Sequence, residues 1–410
     1  MRHTRPVRWL AGLAGLAAAW MVAACAAGPP SAAQATALPP SPVGSLKAGP
    51  NWLAARVEQP AAIEAAPTDA PVFCSPCHPV IGTYIDSLVA FHGGFLAFGH
   101  DQPPSHAAAW ASDDGTAWRR VASLPAPDAS IISAAVTETD GAVLAVGESG
   151  GAAAVWRSDD GAAWTLTTLA APRAAATEWL TSVAITSDGY VAGGYEESST
   201  AQRTASFWHS PDGVNWVRGT AQVPAGASEV TGVAVIGTAS IMAVGIAGDE
   251  RSVTAAVWRS SDGGTNWQAV SSPAFAAGRM LAVVGDGNGA VAVGEGQDQT
   301  GAAAWYSPDG LTWVSASGAG LDNYGLQVVM TAVTADGSGF VAAGGRSDAG
   351  NGSAVVWQST DGRSWVHLPQ DASFSGAGLS CVLGSPRLLL GGTTGWPDTH
   401  AAEVWVAQPG

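Results

Sequence analysis

Residues Ser210–Trp216 read SPDGVNW, and the stretch is one of six. SDDGTAW starts at Ser112, SDDGAAW at Ser158, SSDGGTNW at Ser260, SPDGLTW at Ser307 and STDGRSW at Ser359. The aspartates before glycine (Asp114, Asp160, Asp212, Asp262, Asp309 and Asp361) recur every 46 to 52 residues. A short apolar run ending in tryptophan precedes each copy, at Trp110, Trp156, Trp208, Trp258, Trp305 and Trp357. Further upstream lies a hairpin pattern such as SVAITSDGYVAGG (182–194), two apolar runs around a turn. This hairpin begins near 87, 133, 182, 232, 281, 331 and 379, seven times in all.

Each unit offers four short strands in about 50 residues, the signature of one propeller blade. Six units are complete. The seventh has its hairpin and a third strand ending at Trp405, and then lacks a fourth. GPNWLAARVEQP (49–60) supplies one when aligned with DGVNWVRGTAQVP, so that Trp52 matches Trp216. The expected fold is all-β, a seven-bladed β-propeller whose last blade is completed by the N-terminal strand. Such closure would also remove open sheet edges. Of the 18 tryptophans, all but Trp9, Trp20, Trp179 and Trp396 fall on third or fourth strands in this scheme.

The repeated turn resembles the Asp-box, or BNR, repeat of sialidase-like propellers, commonly S-x-D-x-G-x-T-W. Ser260–Trp267 matches that spacing, and the other five copies are one residue shorter. Serine and aspartate oxygens accept backbone N–H groups within such a turn, glycine supplies positive φ, and tryptophan packs between sheets. The six aspartates are therefore expected to be structural. The resemblance extends over about 50–405 and implies the scaffold; activity does not follow from a propeller.

The N-terminus begins MRHTRPVRWLAGLAGLAAAWMVAAC, a basic segment, an apolar run and small residues before Cys25. It reads as an export signal over 1–24, too short for a comfortable membrane span. VAAC (22–25) resembles a bacterial lipobox, so Cys25 is the expected lipidation site. Residues 25–48 read as a disordered Ala/Pro/Ser tether, and 49–410 as the propeller. The expected location is extracytoplasmic, with the membrane as a partner through the lipid anchor. A net charge of −16 argues against nucleic acid as a partner.

In a propeller, connections between second and third strands share a face with those between blades, while the Asp-box turns lie opposite. Ligand candidates therefore come from HDQPPSH (100–106), YEESSTAQR (195–203), RSDAGN (346–351) and TTGWPDTH (393–400), among others. They are Trp179, Glu196, Arg203, Arg346, Trp396, Asp398 and His400. A sialidase-like resemblance implies three arginines, a Tyr/Glu pair and an aspartic acid, but the family's RIP motif is absent. No catalytic residue is assigned. Glu196, Glu197 and Glu295 are the carboxylates to consider if the chain is a glycoside hydrolase.

FCSPCHP (73–79) contains the C-x-x-C-H spacing of c-type haem attachment. An oxidising compartment favours a Cys74–Cys77 disulfide, with Cys381 as an alternative partner. His78, His100, His106 and His400 fall in the first and last units and are the candidates for a metal. No cofactor is expected, and a metal or haem redox protein centred on Cys74, Cys77 and His78 is the least favoured reading. The favoured one is a binding or scaffold module for a glycan, cell-wall or protein ligand.

Overall fold

The computed structural model describes residues 50–60, 81–169, 177–224, 226–237, 240–249, 252–285, 289–296, 301–321, 327–348, 351–395 and 399–408. Cys25, Cys74, Cys77, His78, Trp396 and Asp398 lie outside these residues, as do the signal and the whole of the tether. The chain is a β-propeller. Among the described residues the pairings give seven four-stranded antiparallel arrays, taken here as blades 1–7 in chain order. Blades 2–6 are separate sheets. Blades 7 and 1 share one sheet, because Ile81–Gly82 pairs in parallel with Thr399–His400. Only glycine fits at 82, since a Cβ there would lie 2.4 Å from that of His400.

The N-terminal strand Asn51–Ala54 pairs antiparallel with Thr399–Gln408 as the outer strand of blade 7, with Trp52 opposite Ala407. It goes on to pair Arg56 and Val57 in parallel with Ala117 and Trp118, the outer strand of blade 1. One segment thus closes blade 7 and ties it to blade 1. Thr220–Ala221 makes the same parallel contact from blade 3 to blade 4.

The six Ser/Asp turns share one hydrogen-bond plan. In Ser210–Trp216 the Ser210 hydroxyl accepts from Gly213 N–H at 2.9 Å and donates to Asp212 at 3.0 Å. Asp212 Oδ1 accepts the N–H groups of Val214 and Asn215, and Trp216 Nε1 donates to Gly213 O at 3.0 Å. These backbone donors hold the carboxyls of Asp114, Asp160, Asp212, Asp262 and Asp309 below the usual range. The third-strand tryptophans are buried throughout. Most anchor the preceding inter-blade segment, as Trp156 does by donating to Pro125 O at 2.7 Å.

Every inner strand carries a β-bulge at the same place, on Asp86, Ser133, Thr181, Thr231, Leu281, Thr331 and Ser380. Several of these side chains fasten one blade to the next. Thr181 reaches Val230 O at 2.7 Å, Thr231 reaches Met280 O at 2.8 Å, and Thr331 reaches Leu379 O at 2.6 Å. Ser380 donates to Ile85 O, which carries the ring across the closure. We expect Thr231→Val, nearly isosteric but without the hydroxyl, to cost about 1–2 kcal/mol. Thermal melting checks this, and an unchanged midpoint would show that the hydroxyl ties nothing.

Candidate functional site

The bulges line a central cavity of about 430 Å³, within the usual range for a small-molecule site. Its wall is uneven. Blades 2–5 contribute side chains such as Ile131, Val183, Val233 and Leu281, whereas Arg346, His400, Tyr84 and Asp86 come from blades 6, 7 and 1. The polar side also includes Ser347, Thr393 and the thiol of Cys381. Cys381 is buried and free, and burial pushes its thiol up.

The polar side is organised around Tyr84. Its ring stacks on His100 (centroids 4.8 Å apart, planes 6°) and on His400 (5.4 Å, 25°). His100 Nδ1 lies 2.9 Å from Asp86 Oδ2, a pairing that orients the imidazole. Among the described residues the Tyr84 hydroxyl and His100 Nε2 are buried without a hydrogen-bond partner. Burial, reinforced by the Asp86 charge, raises the Tyr84 phenol far above its ordinary value, so it stays neutral. Burial lowers His400 and favours its neutral form.

Histidines 100, 106 and 400 were expected in loops, but the ladders run further than the apolar segments. His100 sits within Gly94–Gln102, His106 opens His106–Ser112, and His400 lies in Thr399–Gln408. His100 and His106 each find a carboxylate beside them, Asp86 and Asp128. His106 turns away to Asp128 at 2.8 Å, so the structure does not gather the three histidines at one point. Among the described residues no group of three or more His, Cys, Asp or Glu is arranged to hold a metal.

The charged loop candidates are also on strands, and they are partnered. Glu196 pairs with Arg218 at 2.9 Å, and Arg218 also reaches Glu178. Arg203 bridges Glu197 at 3.0 Å and Glu229 at 2.6 Å, with its guanidinium 4.3 Å from the Tyr195 ring. Trp179 stacks on the same Tyr195 at 6.1 Å. Glu295, buried and paired with Arg279 at 3.0 Å, is raised by burial against that pairing. Arg346 differs from these arginines: among the described residues it makes no ion pair, and its Nε is buried without a partner.

One layer of the propeller had a sequence signal that went unread. Facing each bulge is a glycine (99, 147, 194, 245, 294, 344 and 392), and the next residue is His100, Glu148, Tyr195, Ile246, Glu295, Gly345 or Thr393. The third-strand partner of that residue is alanine in all seven blades, from Ala107 to Ala402. A constant frame of glycine and alanine therefore holds one variable position. Aligning the seven hairpins on their second-strand glycine would have exposed it.

No family model matches the chain, and no curated protein matches it. Solved structures do. A GH74 xyloglucanase from Xanthomonas campestris is 16% identical, covering 78% of this chain and 54% of its own, with a TM-score of 0.44. A Hadza microbial sialidase is 13% identical, covering 79% and 65%, with a TM-score of 0.45. A Penicillium chrysogenum α-L-arabinanase complexed with arabinobiose is 12% identical, covering 79% and 93%, at 0.42. The chain thus spans little more than half the length of the xyloglucanase and about two thirds of the sialidase. At this level the likeness concerns fold alone.

Proposed function

We propose that the chain is a lipid-anchored, extracytoplasmic binding module, anchored through Cys25, whose ligand enters the central cavity. The end of a glycan, a cell-wall component or a small molecule fits that description better than a broad protein surface. One observation carries the reading. All seven blades line the cavity, while the three carboxylates considered for hydrolysis, Glu196, Glu197 and Glu295, are each engaged by an arginine. A glycosidase needs one carboxyl able to give up a proton and a second placed across the bond. Glu196 and Glu197 are held against guanidinium groups, and Glu295 lies outside the cavity lining.

Leu281→Trp tests the reading. Leu281 is the one bulge residue with an apolar side chain, so filling the cavity from there breaks no bond between blades. We expect the wild-type chain to be retained by a glycan array or by cell-wall fragments, and Leu281→Trp to lose at least tenfold in affinity with its melting temperature kept. Turnover of chromogenic glycosides by the wild type, abolished in Glu295→Gln, would instead establish the hydrolase. Intact mass of the exported chain should show lipid on Cys25.

A further inference from the structure

Arg346 departs from the repeat in both sign and partner. In blades 1 and 3 its position is acidic, Asp101 and Glu196, and each acid pairs outward with an arginine on the fourth strand, Arg120 or Arg218. In blade 6 the acid is replaced by Arg346, and the fourth-strand position by His367. His367 Nδ1 lies 3.2 Å from Leu368 O. The guanidinium therefore has no partner among the described residues, and it lines the cavity, where Asp101 and Glu196 do not. A half-buried cation without a counter-charge is costly.

The residue before it opens the way. Five other blades place His100, Glu148, Tyr195, Ile246 or Glu295 at this layer, and Thr393 fills it in blade 7. Blade 6 has Gly345, and a Cβ there would meet only Ser353 O, at 3.4 Å. The backbone does not require this glycine. Its effect is a notch in the wall, with Gly345, Arg346, Ser347 and Gly352 all lining the cavity.

The bulge layer around the cavity offers few free hydroxyls to a neutral sugar. The hydroxyls of Thr181, Thr231, Thr331 and Ser380 are occupied between blades, and Ser87 and Ser182 accept N–H groups from Ala135 and Val233. What these six side chains leave toward the cavity is mainly methyl and methylene surface. The other charge on the wall, Asp86, lies in blade 1 against His100.

We propose that Arg346, reached through the Gly345 notch, seats the anionic head of a small free amphiphile whose apolar body fills the cavity. The head is a carboxylate or sulfonate, which accepts two guanidinium N–H groups at once. This rests on the cavity being the ligand site, and it adds the class of ligand.

Two fluorescent probes of similar shape provide the test: 1-anilinonaphthalene-8-sulfonate and its uncharged counterpart N-phenyl-1-naphthylamine. The wild-type chain should bind both saturably, the sulfonate about tenfold tighter, as a charge-assisted contact implies. Arg346→Gln should abolish that preference while leaving the amine within about twofold, and Arg346→Lys should retain part of it. Gly345→Ile, which copies blade 4, should weaken the sulfonate most. Equal affinities in the wild type, or an unchanged preference in Arg346→Gln, would overturn the assignment of Arg346. If that happens while Leu281→Trp still blocks the amine, the cavity remains the site and only the anionic class falls. Failure of both probes to bind saturably, or indifference of both to Leu281→Trp, removes the cavity reading and the proposal with it.

Discussion

Gly344→Ala should prevent folding or cost at least about 4 kcal/mol, while Gly345→Ala, one residue on, should stay within about 1 kcal/mol of the wild type. A Cβ at 344 would lie 2.0 Å from Val329 O, an overlap with backbone that no rotamer relieves. The carbonyl cannot retreat, because it belongs to the strand that bulges at Thr331 and is fastened through that hydroxyl to blade 7. At 345 the nearest atom is at ordinary contact distance. The same conflict, at 1.8–2.0 Å, recurs at Gly99, Gly147, Gly194, Gly245, Gly294 and Gly392. Bulge and glycine are thus one device used seven times. Urea titration of the two variants checks it; equal stability would mean that the bulge gives way and that these glycines are not required.

That contrast shows where reading the sequence succeeds and where it stops. The Ser/Asp turns were legible because each of their hydrogen bonds spans at most four residues, so chemistry and spacing repeat together. The strand around Trp52 was legible too, since its tryptophan and the missing outer strand of blade 7 fit one alignment. Arg346 was singled out by position, but its isolation could not be seen. Ion pairs such as Arg203–Glu229 and Arg218–Glu178 join residues 26 and 40 apart along unrelated strands, and no periodicity records them. Tyr84 and Asp86 escaped for a related reason. They occupy an inner strand whose pattern looks like core, and only the ring places them on a cavity shared by blades far apart in the chain. His100 and His400 were grouped correctly as neighbours across the closure, yet their surroundings are a buried aromatic stack rather than open loops.

The variable layer behind the rim also sets how stability responds to pH, and Glu148 is its clearest member. The residue is 6% exposed, accepts an N–H from Gly151, and has its carboxyl pushed up to about 7 by burial, which outweighs that bond. The folded chain therefore holds this proton more tightly than the unfolded chain, whose glutamate titrates at its ordinary 4.5. Stability from this group is fully present below about pH 4.5 and is lost as the pH rises through about 7. At about 1.4 kcal/mol per pH unit the loss amounts to roughly 3 kcal/mol. Glu178, Glu295 and Glu403, also raised by burial, act in the same direction, with Arg218 and Arg279 offsetting the first two. The turn aspartates, held low by backbone donors, act oppositely and lose their contribution only under stronger acid. Maximal stability should accordingly fall on the acid side of neutrality. Glu148→Gln keeps an oxygen for Gly151 N–H and carries no charge. Its melting temperature should exceed the wild type's by several degrees at pH 8 and match it near pH 4.5. A difference that does not change with pH would mean that Glu148 is ionised at little cost in the folded chain, and that the layer behind the rim is wetter than its burial implies.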